Sequence, residues 1–175
     1  MSPARERQET PEPDFEDPKE LYAFFGLASY EAQLLEMSLI NLAVALKFAE
    51  GGRLYRDVGL AAYATYEGKT FGQLLRSVST AKGHLDELVP LLTAAVEKRN
   101  YLMHRFFREH AADLMAEAGR RKMILELRDM TALFHQADIR VDPIWRDEWS
   151  RLGFSDAMLQ QEFDKLVAEL EGGAA

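Results

Sequence analysis

The sequence predicts an all-α protein, an up-and-down helical bundle with additions, and three observations carry that prediction. Apolar residues recur at helical spacing over long stretches, as in Leu85, Leu88, Leu92, Val96, Met103 and Phe106, and again in Met123, Leu127, Met130 and Phe134. No stretch alternates apolar and polar residues with period two for long enough to suggest a sheet, and no internal repeat is present. Between the periodic stretches stand residues that start and stop helices: Asp17-Pro18, Gly51-Gly52, Thr70 with Gln73, Gly83, and Ser155.

The first element is a tail. Residues 1–16 combine three prolines with many charges and one aromatic, Phe15, too little apolar area to offset the entropy of ordering. A flexible acidic tail is therefore expected over 1–16, with a single domain over 17–175. Asp17 as N-cap, Pro18 in the first turn and Glu20 start a helix. It spans 21–48, with an interruption expected at Gly26, and from Leu34 its apolar residues go almost all round, which demands burial on more than one side. That excess makes it either the central helix or a dimer contact.

A weaker helical segment covers 54–66, where Tyr55, Tyr63 and Tyr66 read as core aromatics. Thr70 and Gln73 form a capping box for a short helix to about Ala81, and Gly83 breaks the chain. The next helix begins between His84 and Pro90 and runs to about His110. After a turn near Gly119 another helix follows, which Asp142-Pro143 is expected to stop, and a last helix starts at Ser155 with Phe154 and Leu159 placed as a staple.

Composition narrows the class further. At 175 residues, 47% of them apolar, one domain with a real core is expected. No cysteine means no disulfide and no thiolate metal site, and no N-terminal apolar run reads as a signal peptide. The most apolar run, 39–46, is far shorter than the roughly 20 residues of a membrane span, so a cytoplasmic protein with no membrane segment is the expectation. The formal net charge of −8 argues against binding nucleic acid over the whole surface. Half of it lies in residues 1–20, where seven acids face three bases, so the folded part is only mildly acidic.

On that background Lys98, Arg99, Arg105 and Arg108 form a small positive island on the helix expected to end near His110. Arg99 falls in the middle of the apolar stripe. An arginine does not shed its charge, so this placement calls for a cleft, a partner or a carboxylate to receive it. Asn100 and His104 lie one turn apart on the flank of the same stripe. Arginine offers a permanent charge and planar donors suited to phosphate oxygens, and histidine titrates where general acid–base catalysis operates. Cleavage of RNA through its own 2′-hydroxyl needs those groups and no metal.

Arg99-Asn100, three residues and His104 on a long apolar helix resemble the signature of the HEPN superfamily of all-helical ribonucleases, arginine followed after four to six residues by histidine, the first of them often polar. Thr70-Phe71-Gly72-Gln73-Leu74 resembles a segment of bacterial proteins of that kind, and the likeness spans roughly 20–140. The resemblance implies a homodimer in which two copies of the motif meet, catalytic Arg99, Asn100 and His104, substrate contacts from Lys98, Arg105 and Arg108, no cofactor and no metal. It also implies toxin–antitoxin or phage-defence biology, with a nucleotidyltransferase-type antitoxin as partner. One toxin subgroup has, two residues after the histidine, a tyrosine that the antitoxin modifies. Phe106 stands there in this chain.

Other chemistries lack their usual supports. None of the four histidines follows a glutamate by three residues, as a di-iron bundle requires, and there is no His-Glu-x-x-His, phosphate loop or Gly-x-Ser-x-Gly elbow. His84, His110 and His135 are expected to be surface or capping residues, and Arg120-Arg121-Lys122 a secondary phosphate contact or a solvated helix start. The competing reading keeps the fold and drops the chemistry: a non-catalytic helical dimer that binds RNA, a nucleotide or a partner protein, with Arg99 and His104 bracing the interface.

Overall fold

The structure, a computed structural model, describes residues 11–51, 56–79 and 85–155, and scattered residues between 157 and 169. Among them are six α-helices and no strand: α1 (Glu20–Gly51), α2 (Arg56–Glu67), α3 (Phe71–Ser79), α4 (Val89–His104), α5 (Phe106–Glu109) and α6 (Glu117–Arg151), with a 3₁₀ turn at Asp113–Met115. The all-α expectation holds for these residues. The expected break at Gly83 lies outside them.

Two long helices make the frame. Asp17 Oδ1 accepts the Lys19 N–H at 2.8 Å, and α1 then runs unbroken for 32 residues to Gly51. Gly26 does not interrupt it: its Cβ position is open space, and an exposed helical glycine costs only about 1 kcal/mol against alanine. α1 lies along α6 in the same direction, as Glu31 meets His135, Ser38 meets Asp138, and Asn41 and Phe48 meet Trp149. Leu21, Phe24, Leu35, Leu39 and Leu42 from α1 and Met123, Leu127, Met130, Phe134 and Val141 from α6 fill the space between them. Each such side chain contributes about 1.5–3 kcal/mol by leaving water. By length and composition the stretch Glu20–Ala49 is apolar enough to cross a membrane, but 56% of its most apolar window is buried inside the bundle, as in a core helix.

Pro143 does not stop α6, contrary to expectation; the helix continues to Arg151. An interior proline costs about 3 kcal/mol, and the residues on either side outweigh it. Val141, Trp145 and Trp149 are buried, and Trp149 donates its indole N–H to the Asn41 carbonyl at 3.1 Å while its ring meets Phe48 and Phe154. Beyond α6, the Met158 N–H reaches Ser155 Oγ at 3.3 Å, the cap the sequence suggests.

α2 and α3 cover one side of α1. The capping box forms as expected, with the Thr70 N–H donating to Gln73 Oε1 at 2.8 Å and the Gln73 N–H to Thr70 Oγ1 at 3.4 Å. α4 packs antiparallel to α1: Arg99 lies beside Glu36, and the α5 ring Phe106 beside Phe25. The expected single helix to His110 is in fact broken after His104. Arg105 leaves helical geometry (φ −130, ψ −24), which turns two consecutive phenylalanines toward α1; Phe106 is fully buried and Phe107 lies 4.9 Å from the Phe25 ring. The chain then turns through the 3₁₀ segment into α6.

Gly119, in the first turn of α6, is buried against that segment, and a Cβ there would fall 2.1 Å from the Asp113 carbonyl oxygen. Backbone, not a flexible side chain, stands in the way. Gly119→Ala is therefore expected to destabilise the protein by about 3 kcal/mol in urea titration, whereas Gly26→Ala has open space and the helix-propensity gain in its favour.

Candidate functional site

The inward stripe of α4 differs in register from the one read off the sequence. Leu88, Leu92, Ala95, Leu102 and Phe106 are buried, while Met103 is 46% exposed and Val96 only partly covered. The steps of four, three, seven and four leave the slot between Ala95 and Leu102 to Arg99, which does sit in the middle of the apolar face. Its guanidinium reaches Glu36 Oε2 on α1 at 3.7 Å, with the two side chains about a quarter exposed. A carboxylate does receive it, from α1, in a pair that is loose and reached by solvent.

Asn100 and His104 are exposed on the outward flank, and neither makes a side-chain hydrogen bond or ion pair with another described residue. His104 closes α4, so its ring stands at the edge of the break. Lys98 lies 3.8 Å from Glu126 and 5.3 Å from the Tyr101 ring centre; Arg105 lies 3.7 Å from Glu109 and 5.4 Å from the same ring. Arg108 is exposed. The structure thus places Arg99 in the α1–α4 seam and Asn100 and His104 on the neighbouring surface of one helix, with Lys98 and Arg105 beside Tyr101.

The feature that sequence reading missed is His110. Expected at the surface or as a cap, it does close α5, its backbone N–H donating to the Phe106 carbonyl at 3.1 Å, but its side chain is buried and ties three elements together. Nδ1 lies 2.7 Å from Asp113 Oδ2 in the 3₁₀ turn; Nε2 lies 2.9 Å from Glu126 Oε2 of α6 and 3.0 Å from the Tyr101 hydroxyl of α4. Lys122 adds its ammonium to Asp113 at 3.0 Å. The spacing of His110 and Asp113, three apart, was the one signal available. The partners on α4 and α6 depend on the break after His104, which no glycine or proline announces.

Two titrations follow from this cluster. Hydrogen bonds from His110 and Lys122 hold the Asp113 carboxyl below its ordinary range. Burial, then the charges of Glu126 and Glu109, push the Tyr101 hydroxyl up from 10.0 to about 12. A hydroxyl raised in the folded state contributes stability that is present in full below pH 10 and is lost as pH rises toward 12. Melting temperatures measured between pH 9 and 12 should accordingly fall more steeply for the wild-type protein than for Tyr101→Phe.

Glu12 meets Arg128 at 3.3 Å and the Arg121 guanidinium lies 4.2 Å from the Phe15 ring, so the segment 11–19, part of it expected to be a flexible tail, lies on α6. Residues 1–10 are outside the described part. Among the described residues no group of three or more histidines and carboxylates is placed to hold a metal ion. No protein-family model, curated protein or solved structure matches the chain.

Proposed function

We propose that the protein is a metal-independent endoribonuclease of the HEPN type that acts as a homodimer, in the setting of a growth-inhibiting toxin or a phage-defence effector. The observation that carries this reading is the placement of Arg99 and His104: a permanent cation within a loose, solvent-reached pair, and an exposed imidazole at the helix edge five residues on. His104 moves the proton of the 2′-hydroxyl or of the leaving 5′-oxygen, Arg99 meets the charge that builds on phosphorus, and Asn100 orients the ring or the phosphate. Lys98, Arg105 and Arg108 hold the flanking phosphates.

One chain supplies one accessible histidine of the motif, and the reaction has two proton transfers. A second copy provides the other. The exposed apolar residues Tyr22, Tyr30 and Met37, at helical spacing on α1, and Met103 on α4 support such a pairing. Sedimentation should give twice the chain mass; a monomer at high micromolar concentration would remove the two-histidine mechanism. The decisive assay is chemical: RNA fragments ending in 2′,3′-cyclic phosphate, formed in the presence of chelator, are the expected products. A nucleotidyltransferase-type antitoxin is the proposed regulator, acting elsewhere than position 106.

The Arg99–Glu36 pair favours a second reading, a non-catalytic dimer in which Arg99 braces two helices. RNA that is bound and released intact would establish that reading instead.

A further inference from the structure

We infer that His110 is a positioning residue for the corner that carries His104, and that it works as a proton-linked knot: with a proton on each ring nitrogen it ties the 3₁₀ turn to α6 and holds the end of α4 in place. For its catalytic consequence this rests on the ribonuclease reading; the knot itself does not.

An ionised carboxylate accepts hydrogen bonds and donates none. His110 has one at each nitrogen, Asp113 at 2.7 Å and Glu126 at 2.9 Å, so both contacts are hydrogen bonds only when Nδ1 and Nε2 both carry hydrogen. The charged groups around the ring come from every neighbouring element: Tyr101 and Lys98 on α4, Arg105 at the break, Glu109 on α5, Asp113 on the turn, Lys122 and Glu126 on α6. Two carboxylates touch the ring directly, and the cations stand behind them. Lys122 lies beyond Asp113 and Lys98 beyond Glu126.

Tyr101 makes the arrangement two-state. Its hydroxyl is 3.0 Å from Nε2. When the ring is charged, Nε2–H donates to Glu126, and the hydroxyl donates to that carboxylate as well. When the ring loses one proton, the remaining one stays on Nδ1 facing Asp113, and the phenol turns to donate to the bare Nε2. Glu126 then faces a lone pair at 2.9 Å and must leave, toward Lys98 at 3.8 Å. One proton lost therefore cuts the tie between the corner and α6 and draws a carboxylate toward a proposed phosphate contact. His104 and Arg105 stand on the strand of chain that this tie holds, because α4 ends at His104 and α5 runs from Phe106 into His110.

The test uses the full chain. Nitrogen NMR of the labelled His110 ring should show two protonated nitrogens in the tied state and a single transition as pH rises, and the backbone amides of residues 105–110 should exchange faster above that transition while those of α1 do not. A ring with one bare nitrogen throughout the range where the fold is intact overturns the proposal, and so does corner exchange that ignores the transition. Glu126→Gln replaces one anion by a neutral acceptor and should move the transition to lower pH; an unmoved transition counts against the knot. His110→Gln keeps donor hydrogens but does not titrate, and should make corner exchange independent of pH once intrinsic rates are removed. In RNA cleavage His110→Gln should lower kcat by roughly 10²-fold with KM little changed, as for a misplaced catalytic group. If His104→Ala leaves cleavage intact the ribonuclease reading falls, while the ring and exchange results still decide the knot.

Discussion

Replacing His104 by alanine should reduce RNA cleavage by roughly 10²–10⁴-fold, the scale of general acid–base catalysis, and leave the melting temperature unchanged. The ring is exposed at the end of α4 and has no partner to strand among the described residues. Arg99→Ala should abolish cleavage too, with a cost to stability of no more than about 1 kcal/mol, since its pair with Glu36 is 3.7 Å long and reached by solvent. A fully buried pair would instead cost about 3–5 kcal/mol on losing one partner. Arg99→Lys separates charge from shape: it keeps a cation for Glu36 and loses the planar donors that fit a phosphate. Its failure to restore cleavage, with normal melting, is the expected result. Full activity in His104→Ala would end the catalytic account, and a collapse of the fold in Arg99→Ala would turn the motif into architecture.

The largest effect on stability is expected at Phe106. It is fully buried, and its ring meets Phe25, Tyr101, Phe107 and the His110 imidazole at centre distances of 6.1, 6.0, 5.3 and 4.9 Å. Phe106→Ala removes the side chain on which α1, α4 and the corner converge, and should cost about 3–5 kcal/mol in chemical denaturation. Met103→Ala is the control. The sequence stripe put Met103 inside, whereas it is half-exposed, and its loss should cost less than about 0.5 kcal/mol. Equal costs at the two positions would mean that α4 packs in the register the sequence suggested. The same residue bears on regulation: a tyrosine at 106 would have to place its hydroxyl inside this cluster, so modification of that position does not suit this fold.

Local chemistry was legible wherever it decides the outcome by itself. The Asp17 carboxylate on the Lys19 N–H just ahead of α1 and the reciprocal Thr70–Gln73 bonds read directly, because capping satisfies groups within a few residues. What local rules misjudged, tertiary packing decides. Pro143 and Gly26 are poor helix residues in isolation, and both lie inside helices whose other faces are buried in the core. The reverse occurs after His104, where no glycine or proline stands and the helix is nevertheless given up so that Phe106 and Phe107 reach α1. For the same reason Arg99 and His104 were visible as a motif and His110 was not: the first two share one helix, and His110 acquires its meaning from Glu126, sixteen residues away across a turn.

The parallel alignment of α1 with α6 has a consequence for how the chain comes into being. Ser38 and Asp138, joined at 2.5 Å, are 100 residues apart, so the long apolar helix emerges from the ribosome well before the helix that covers it. At 5–20 residues per second that interval lasts about 5–20 s. Through it α1 presents apolar surface nearly all round, with only α2, α3 and α4 arriving to shield part of it. A chain built in this order carries exposed apolar surface through its first seconds, and an mRNA cut short before α6 yields a product that keeps its most apolar segment uncovered by α6.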